Sequence, residues 1–197
     1  MDQGEDDAAL MLRYRDGDTD AFAVLYERHK GSLYRYLQRL CRHPDTASDL
    51  FQEVWSKVIA SRDRYEVRAQ FTTFLFRIAH NSTIDHFRRA GRRHERDMQD
   101  VDAVAAELPG AEHERPDALA AESELRADFR RALDHLPAEQ REVFVLYEES
   151  GLSLEEIGRI TGVGMETAKS RLRYAVGKLR AALERHKAAS LEQSIES

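Results

Sequence analysis

With 34% charged and 42% hydrophobic residues, this 197-residue chain has the composition of a globular protein, and no apolar run approaches the ~20 residues needed to span a bilayer. The acidic start Met1-Asp2-Gln3-Gly4-Glu5-Asp6-Asp7 is unlike a secretory signal, and a single cysteine, Cys41, cannot pair internally, so a cytoplasmic, reducing location is expected. A net charge of −6 disfavours polyanions overall, yet two locally basic clusters stand out: Arg88, Arg89, Arg92, Arg93 and Arg96, then Lys169, Arg171, Arg173, Lys178 and Arg180. The acidic excess sits in the N-terminal residues and between Asp97 and Glu124.

Apolar spacing is helical nearly throughout, with no convincing strand alternation, so the chain is predicted to be all-α. Asp18 or Thr19 is placed to cap a helix whose apolar positions Phe22, Leu25, Tyr26, Leu33, Tyr36, Leu37 and Leu40 recur at three- and four-residue steps. Residues 41–44 interrupt it after roughly 33 Å, at ~1.5 Å per residue. Asp45 is then placed to cap a second helix with Leu50, Phe51, Val54, Trp55, Val58 and Ile59 as its apolar stripe; Asp49, Gln52, Glu53 and Ser56 lie on its other face. A charged loop over 62–70 leads to a third helix, 71–90, with Leu75, Ile78, Ala79 and Phe87 at core spacing and Gly91 read as its end.

These helices form a predicted first domain over 5–96. Residues 97–122, rich in Asp, Glu and Ala and broken by Pro109, Gly110 and Pro116, read as a flexible acidic linker. A second small helical domain, 123–187, opens with Leu125, Phe129, Ala132, Leu133 and Leu136 on one face. Pro137 suits a first helical turn, and Val143, Phe144 and Leu146 continue the core until Gly151.

The clearest local signal follows. Ser153 and Glu156 have capping-box spacing, Leu154, Ile157 and Ile160 face inward, and Gly158 sits mid-helix at a cost of roughly 1 kcal/mol against alanine, which implies a close helix–helix contact. Gly162-Val163-Gly164 turns the chain into a second helix from about Met165, with Ala168, Leu172, Ala175, Val176, Leu179 and Leu183 on its buried side. Glu166, Thr167, Lys169, Ser170, Arg171, Arg173 and Tyr174 are left outward. Arg and Lys donate to guanine edges, and Ser and Thr bond bases or phosphates, so this pattern reads as a DNA-binding helix-turn-helix rather than a hairpin with a solvated basic face.

The stretches Leu136-Pro137, Arg141-Glu142-Val143-Phe144, Gly151-Leu152-Ser153-Leu154-Glu155-Glu156-Ile157-Gly158 and Glu166-Thr167-Ala168-Lys169-Ser170-Arg171-Leu172 resemble sigma region 4. Asp49-Leu50-Phe51-Gln52-Glu53-Val54-Trp55 and Phe74-Leu75-Phe76-Arg77-Ile78-Ala79-His80-Asn81, running to Asp85-His86-Phe87-Arg88-Arg89, resemble sigma region 2. Two such regions and a linker resemble the extracytoplasmic-function (ECF) sigma factors of the sigma-70 family over most of residues 8–185.

That resemblance implies a transcription initiation factor, not an enzyme, with no cofactor or metal. It implies that Asp49, Gln52 and Glu53 grip the coiled coil of the polymerase β′ subunit; on residue type alone they are a polar, solvated helix face. It assigns Asn81, Arg77, Arg88, Arg89, Arg92 and Arg93, with the 62–70 loop, to the −10 element and its melted strand. Phe71, Phe74 and Phe76 offer stacking rings, with core packing competing for at least one. It assigns Thr167, Lys169, Ser170, Arg171, Arg173 and Tyr174 to the −35 element of promoter DNA. The β flap of core RNA polymerase and an anti-sigma factor are further implied partners, with no stable membrane insertion. This chain departs from the family pattern at Ser48, Phe74, Gly158, Glu166 and Tyr174, where Glu, Trp, Ala, Gly and Arg are frequent.

Two other readings fit less well. A response-regulator type of helix-turn-helix protein usually carries an α/β receiver in front, and no β-α alternation precedes residue 123. An enzyme would need a phosphate loop or nucleophile elbow, yet Gly162-Val163-Gly164 lacks the lysine spacing. Cys41 and His43 fall short of the four ligands of a structural zinc site.

Overall fold

An N-terminal helix that the periodicity did not suggest comes first in the computed structural model, which describes residues 5–41, 43–94 and 126–195, with 91–94 and 186–195 described by backbone alone. This helix, α1 (Asp7–Arg15), buries Ala8, Leu10, Met11 and Tyr14. Gly17, at φ 109°, reverses the chain where an L side chain would be strained. Asp18 rather than Thr19 then caps α2 (Thr19–Leu40), its carboxylate accepting from the Asp20 and Ala21 amides. Leu25, Leu33, Tyr36, Leu37 and Leu40 are buried as the spacing predicts, while Phe22 and Tyr26 are half-buried.

Helix α3 (Pro44–Ala60) begins one residue before the expected cap: His43 is the N-cap, with no side-chain bond, and Pro44 opens the helix because its missing N–H has no helical partner there. Ile59, expected in the stripe, is 43% exposed because the helix ends at Ala60 before anything covers it. The charged loop contains a 3-10 turn, Arg62–Arg64, and drives Tyr65 into the core. Helix α4 (Phe71–His94) runs through Gly91 instead of stopping at it. A glycine ends a helix only where the chain must turn left-handed, and Gly91 is not among the glycines with positive φ.

The second half comprises α5 over 126–134, α6 (Ala138–Ser150), α7 (Leu154–Thr161) and α8 (Met165–Ile195). Pro137 is the N-cap of α6 rather than its first helical residue, its ψ of 140° being extended. Gly151 (φ 66°) and Gly162 (φ 72°) end α6 and α7 in the left-handed region. Val176, expected on the buried side of α8, is 39% exposed.

No strand occurs among the described residues, so the all-α expectation holds. The linker expected over 97–122, together with Arg96 and Leu125, lies outside the described residues. The two halves touch: α6 packs on α2, and α7 on α4. Their buried side chains form a single cluster running from Leu10 to Leu179. No described helix is long and apolar enough to cross a membrane.

Candidate nucleic-acid interface

Within the helix-turn-helix, the capping box forms as the spacing predicts. The Glu156 amide donates to Ser153 Oγ at 3.3 Å, and the Ser153 amide donates back to Glu156 Oε2 at 3.0 Å. The Ser153 hydroxyl, donating to Oε2 at 2.7 Å, is the largest influence holding the Glu156 carboxyl below its ordinary pKa, and Thr73 adds a bond to Oε1 at 3.0 Å. A lowered carboxyl pKa stabilises the fold above the ordinary carboxylate range and stops doing so as pH falls through the native value. Ser153→Ala is therefore expected to cost about 1 kcal/mol at neutral pH. The gap in melting temperature between the variant and the parent should narrow, without closing, as pH falls below the ordinary carboxylate range, because the Glu156 amide bond to Ser153 Oγ survives protonation of the carboxyl; a gap unchanged in acid counts against the carboxylate half of the box.

Gly158 is where the expectation is sharpened. A Cβ there would stand 2.7 Å from the Val163 carbonyl oxygen and 3.5 Å from the Met165 nitrogen that opens α8, so the closest approach is to the backbone of the turn, with the start of the next helix just behind it. The Val163 amide also donates to the Gly158 carbonyl at 2.9 Å, which locks the turn onto α7. Ile157 and Ile160 are buried beneath it, Leu154 partly so, and Ala168, Ala175 and Leu179 seat α8. Thr167, Lys169, Arg173 and Tyr174 are exposed on the outer face of α8, with Ser170 and Arg171 half-buried. Arg173 lies over the Tyr174 ring at 5.1 Å, and Lys169 is 3.8 Å from Glu166. Arg171 is instead held by Glu139 at 2.8 Å.

On α4, Arg77, Asn81 and Arg88 recur at four- and seven-residue steps, form one strip and are exposed. Arg88 bonds Asp85 at 2.8 Å, while Arg89 bonds the Asp85 carbonyl at 3.1 Å and lies 3.9 Å from Glu53. The backbone of α4 carries Arg92 and Arg93 onward, but their side chains lie outside those described. Of the three rings offered for stacking, Phe71 and Phe76 are core. Phe74 is half-buried, edge-on to Tyr65 at 5.2 Å. Phe87, expected to be core, is 46% exposed because its side of α4 borders an open cavity rather than a packed helix.

Asp49 and Gln52 are exposed on α3, and Glu53 is half-buried with Lys57 at 2.6 Å. Lys57 also donates to the buried Ser82 of α4 at 2.8 Å, so the α3 acidic face is tied to the helix that carries the Arg77–Asn81–Arg88 strip. Cys41 is buried, and desolvation pushes its thiol up to about 11. Among the described residues no group of three or more His, Cys, Asp or Glu side chains is placed to hold a metal.

Sequence reasoning did not find the contacts between the halves. Glu142 and Glu149 of α6 bond Tyr36, His80, Arg35 and Arg39, with partners 62 to 114 residues apart in the chain. No local pattern marks such pairs, since each residue alone is an ordinary charged or polar position on a helix.

Comparison with known proteins agrees with this architecture. Residues 25–93 match the family described as Sigma-70 region 2, and residues 132–181 match Sigma-70, region 4. The chain is 35% identical over 170 residues to the RNA polymerase sigma factor CarQ of Myxococcus xanthus, covering 86% of this chain and 93% of that one. It is 38% identical over 163 residues to the ECF RNA polymerase sigma factor SigE of Mycolicibacterium smegmatis, covering 82% of this chain but spanning only 61% of that relative's length. A solved structure of the sigma factor RpoE in complex with the anti-sigma factor NepR from Bartonella quintana superposes with a TM-score of 0.69 at 27% identity, covering 83% of this chain and 96% of that one. With both regions matched in order and a near full-length relative above 30% identity, the chain belongs to the sigma-70 family, among its ECF RNA polymerase sigma factors.

Proposed function

We propose that this chain is a transcription initiation factor that docks on core RNA polymerase, reads the −35 and −10 promoter elements and helps melt the latter. The observation that carries the reading is the pair of exposed polar faces, α8 with Lys169, Arg173 and Tyr174, and the Arg77–Asn81–Arg88 strip of α4, on elements matched to regions 4 and 2. Thr167, Lys169, Ser170, Arg171, Arg173 and Tyr174 would contact the −35 duplex from the major groove. Asn81 would hold a displaced base of the −10 element, with Arg77, Arg88, Arg89, Arg92 and Arg93 supporting the strand and the duplex upstream. Asp49, Gln52 and Glu53 would meet the β′ coiled coil, and the second half the β flap.

Asp49 and Gln52, exposed on α3, are open to such a β′ contact, whereas Glu53 would first have to give up its pair with Lys57 at 2.6 Å. A net charge of −6 fits a factor that binds DNA weakly alone and acts once polymerase supplies cationic surface. An anti-sigma partner is supported by the resemblance to RpoE solved with NepR. The setting would be cytoplasmic, and the protein would have no catalysis of its own. Run-off transcription with core polymerase, followed by sequencing of the selected promoters, tests the whole reading. Tight, sequence-specific promoter binding by the free chain at physiological salt, with no transcription in the presence of core enzyme, would refute it.

A further inference from the structure

The charged stretch over 62–70 is held at both ends by α1. At its start, the Arg62 guanidinium lies over the Tyr14 ring at 5.6 Å. That ring is fixed from behind: Tyr14 is buried, its centroid 4.7 Å from that of Phe22, which in turn meets Trp55 edge-on at 5.7 Å. At the far end, Phe71 opens α4 beside the His29 ring at 5.3 Å. His29 Nε2 lies 2.6 Å from Asp7 Oδ2 in the first turn of α1, and Arg28 Nη1 donates to the other Asp7 oxygen at 2.7 Å. Between the two anchors Tyr65 turns inward, edge-on to Phe74 at 5.2 Å. Burial, with the Asp6 and Asp7 charges at the start of α1, pushes its hydroxyl above the ordinary tyrosine pKa.

Past Tyr65, residues Glu66, Val67, Arg68, Ala69 and Gln70 are all exposed. The Arg68 amide bonds the Glu66 carbonyl at 2.9 Å, and Arg68 Nε donates to Glu66 Oε2 at 2.8 Å. Those bonds shape the tip without placing it against the rest of the protein, so its position comes from the ends. Burial of Leu10 and Met11 accounts for α1 as a cover on the helical bundle. It does not account for an arginine whose side chain is 45% exposed and laid on the ring of Tyr14.

We propose that α1 is a positioning element for promoter reading: Tyr14 through Arg62, and Asp7 through His29 and Phe71, set where the exposed 66–70 tip stands and so which displaced base of the melted −10 element it accepts. The two anchors stand on the contacts above; what the tip accepts rests on the promoter-reading function already proposed, in which this loop meets the melted strand. Tyr14 and Asp7 touch no DNA themselves. They keep the loop ordered beforehand, which removes the cost of ordering it when the strand binds.

The test takes Tyr14→Leu, which keeps an apolar side chain in place of the ring, Arg62→Gln, and the two combined, each in the full chain. A nitroxide on Val67→Cys reads the tip directly; Cys41 is buried, with its thiol pushed up to about 11, and stays unlabelled at neutral pH. Either single variant should raise the mobility of the label, and the double variant should add nothing, because both changes remove the same contact. Without the label, and assembled with core polymerase, Tyr14→Leu should bind a single-stranded −10 oligonucleotide roughly two- to fivefold more weakly, the worth of one exposed cation–π contact. A promoter library randomised over the −10 element should show relaxed preference at one position, with the −35 preference parental. A parental label mobility or a parental −10 preference in Tyr14→Leu overturns the proposal, as does a Tyr14→Leu effect that persists in full beside Arg62→Gln. Should Tyr14→Leu fail to fold, Arg62→Gln, changed at the surface, carries the label and library comparisons with the same expected outcomes. A parental holoenzyme that selects no promoter refutes the promoter-reading function, and the label then decides by itself whether α1 holds the loop.

Discussion

Gly158→Val is expected to destabilise the second half by roughly 1–3 kcal/mol or more, measured as a fall in the urea midpoint of unfolding. Helix propensity argues the other way, because leaving glycine gains up to ~1 kcal/mol. Space decides the sign. Even a single Cβ meets the Val163 carbonyl oxygen at 2.7 Å, and that atom belongs to the backbone of a turn pinned by the left-handed Gly162 and by the Val163 amide bond back to Gly158. The turn cannot yield without moving α8 away from α7, which would uncover Ile157, Ile160 and Ala168. A helical domain of this size has a total stability of only a few kcal/mol, so a loss of this order should also impair −35 binding at 37 °C. A valine variant as stable as the parent would show that the turn relaxes freely.

Lys169→Ala and Arg173→Ala are each expected to weaken −35 recognition by the polymerase-bound protein by about 1–3 kcal/mol, or roughly five- to 150-fold, where they reach base edges. Arg171→Ala should matter less. The Lys169 side chain is 63% exposed, and its nearest carboxylate, on Glu166, is 3.8 Å away; that of Arg171 is 22% exposed and already bonded to Glu139 at 2.8 Å. Arg171 therefore has to exchange one ion pair for another before it can meet DNA. Salt titration separates the possible roles: a phosphate contact lowers the slope of log K against log salt by about one, while a base contact relaxes sequence preference at one position. Arg171→Ala as damaging as Arg173→Ala would mean that the Glu139 pair breaks on DNA.

Helix identity was largely legible because it depends on local spacing. Asp18, Ser153, Gly151 and Gly162 mark helix ends by side-chain bonds or left-handed backbone, and each operates within three residues of itself. Helix α1 escaped because acidic residues flank its apolar positions Leu10, Met11 and Tyr14, leaving no strong stripe. Gly91 misled for the converse reason: glycine permits a stop but does not compel one, and α4 passes through it. Burial at the ends of stripes was less legible. Ile59, Phe87 and Val176 all sit at core spacing, yet each is exposed, Ile59 where its helix ends and Phe87 beside an open cavity.

The sequence by itself determined the all-α class, the helix-turn-helix with its capping box and glycine turn, the two basic stretches and the family to which they belong. Only the tertiary structure decided which of those residues are available. It buried Phe71 and Phe76, tied Arg171 to Glu139, and joined Lys57 of α3 to Ser82 of α4. It also brought Arg35 to Glu149 across 114 residues of chain. The physical reason is range: caps and periodicity are written within one or two turns of helix, whereas the partner of a charged side chain is chosen by whichever element packs beside it.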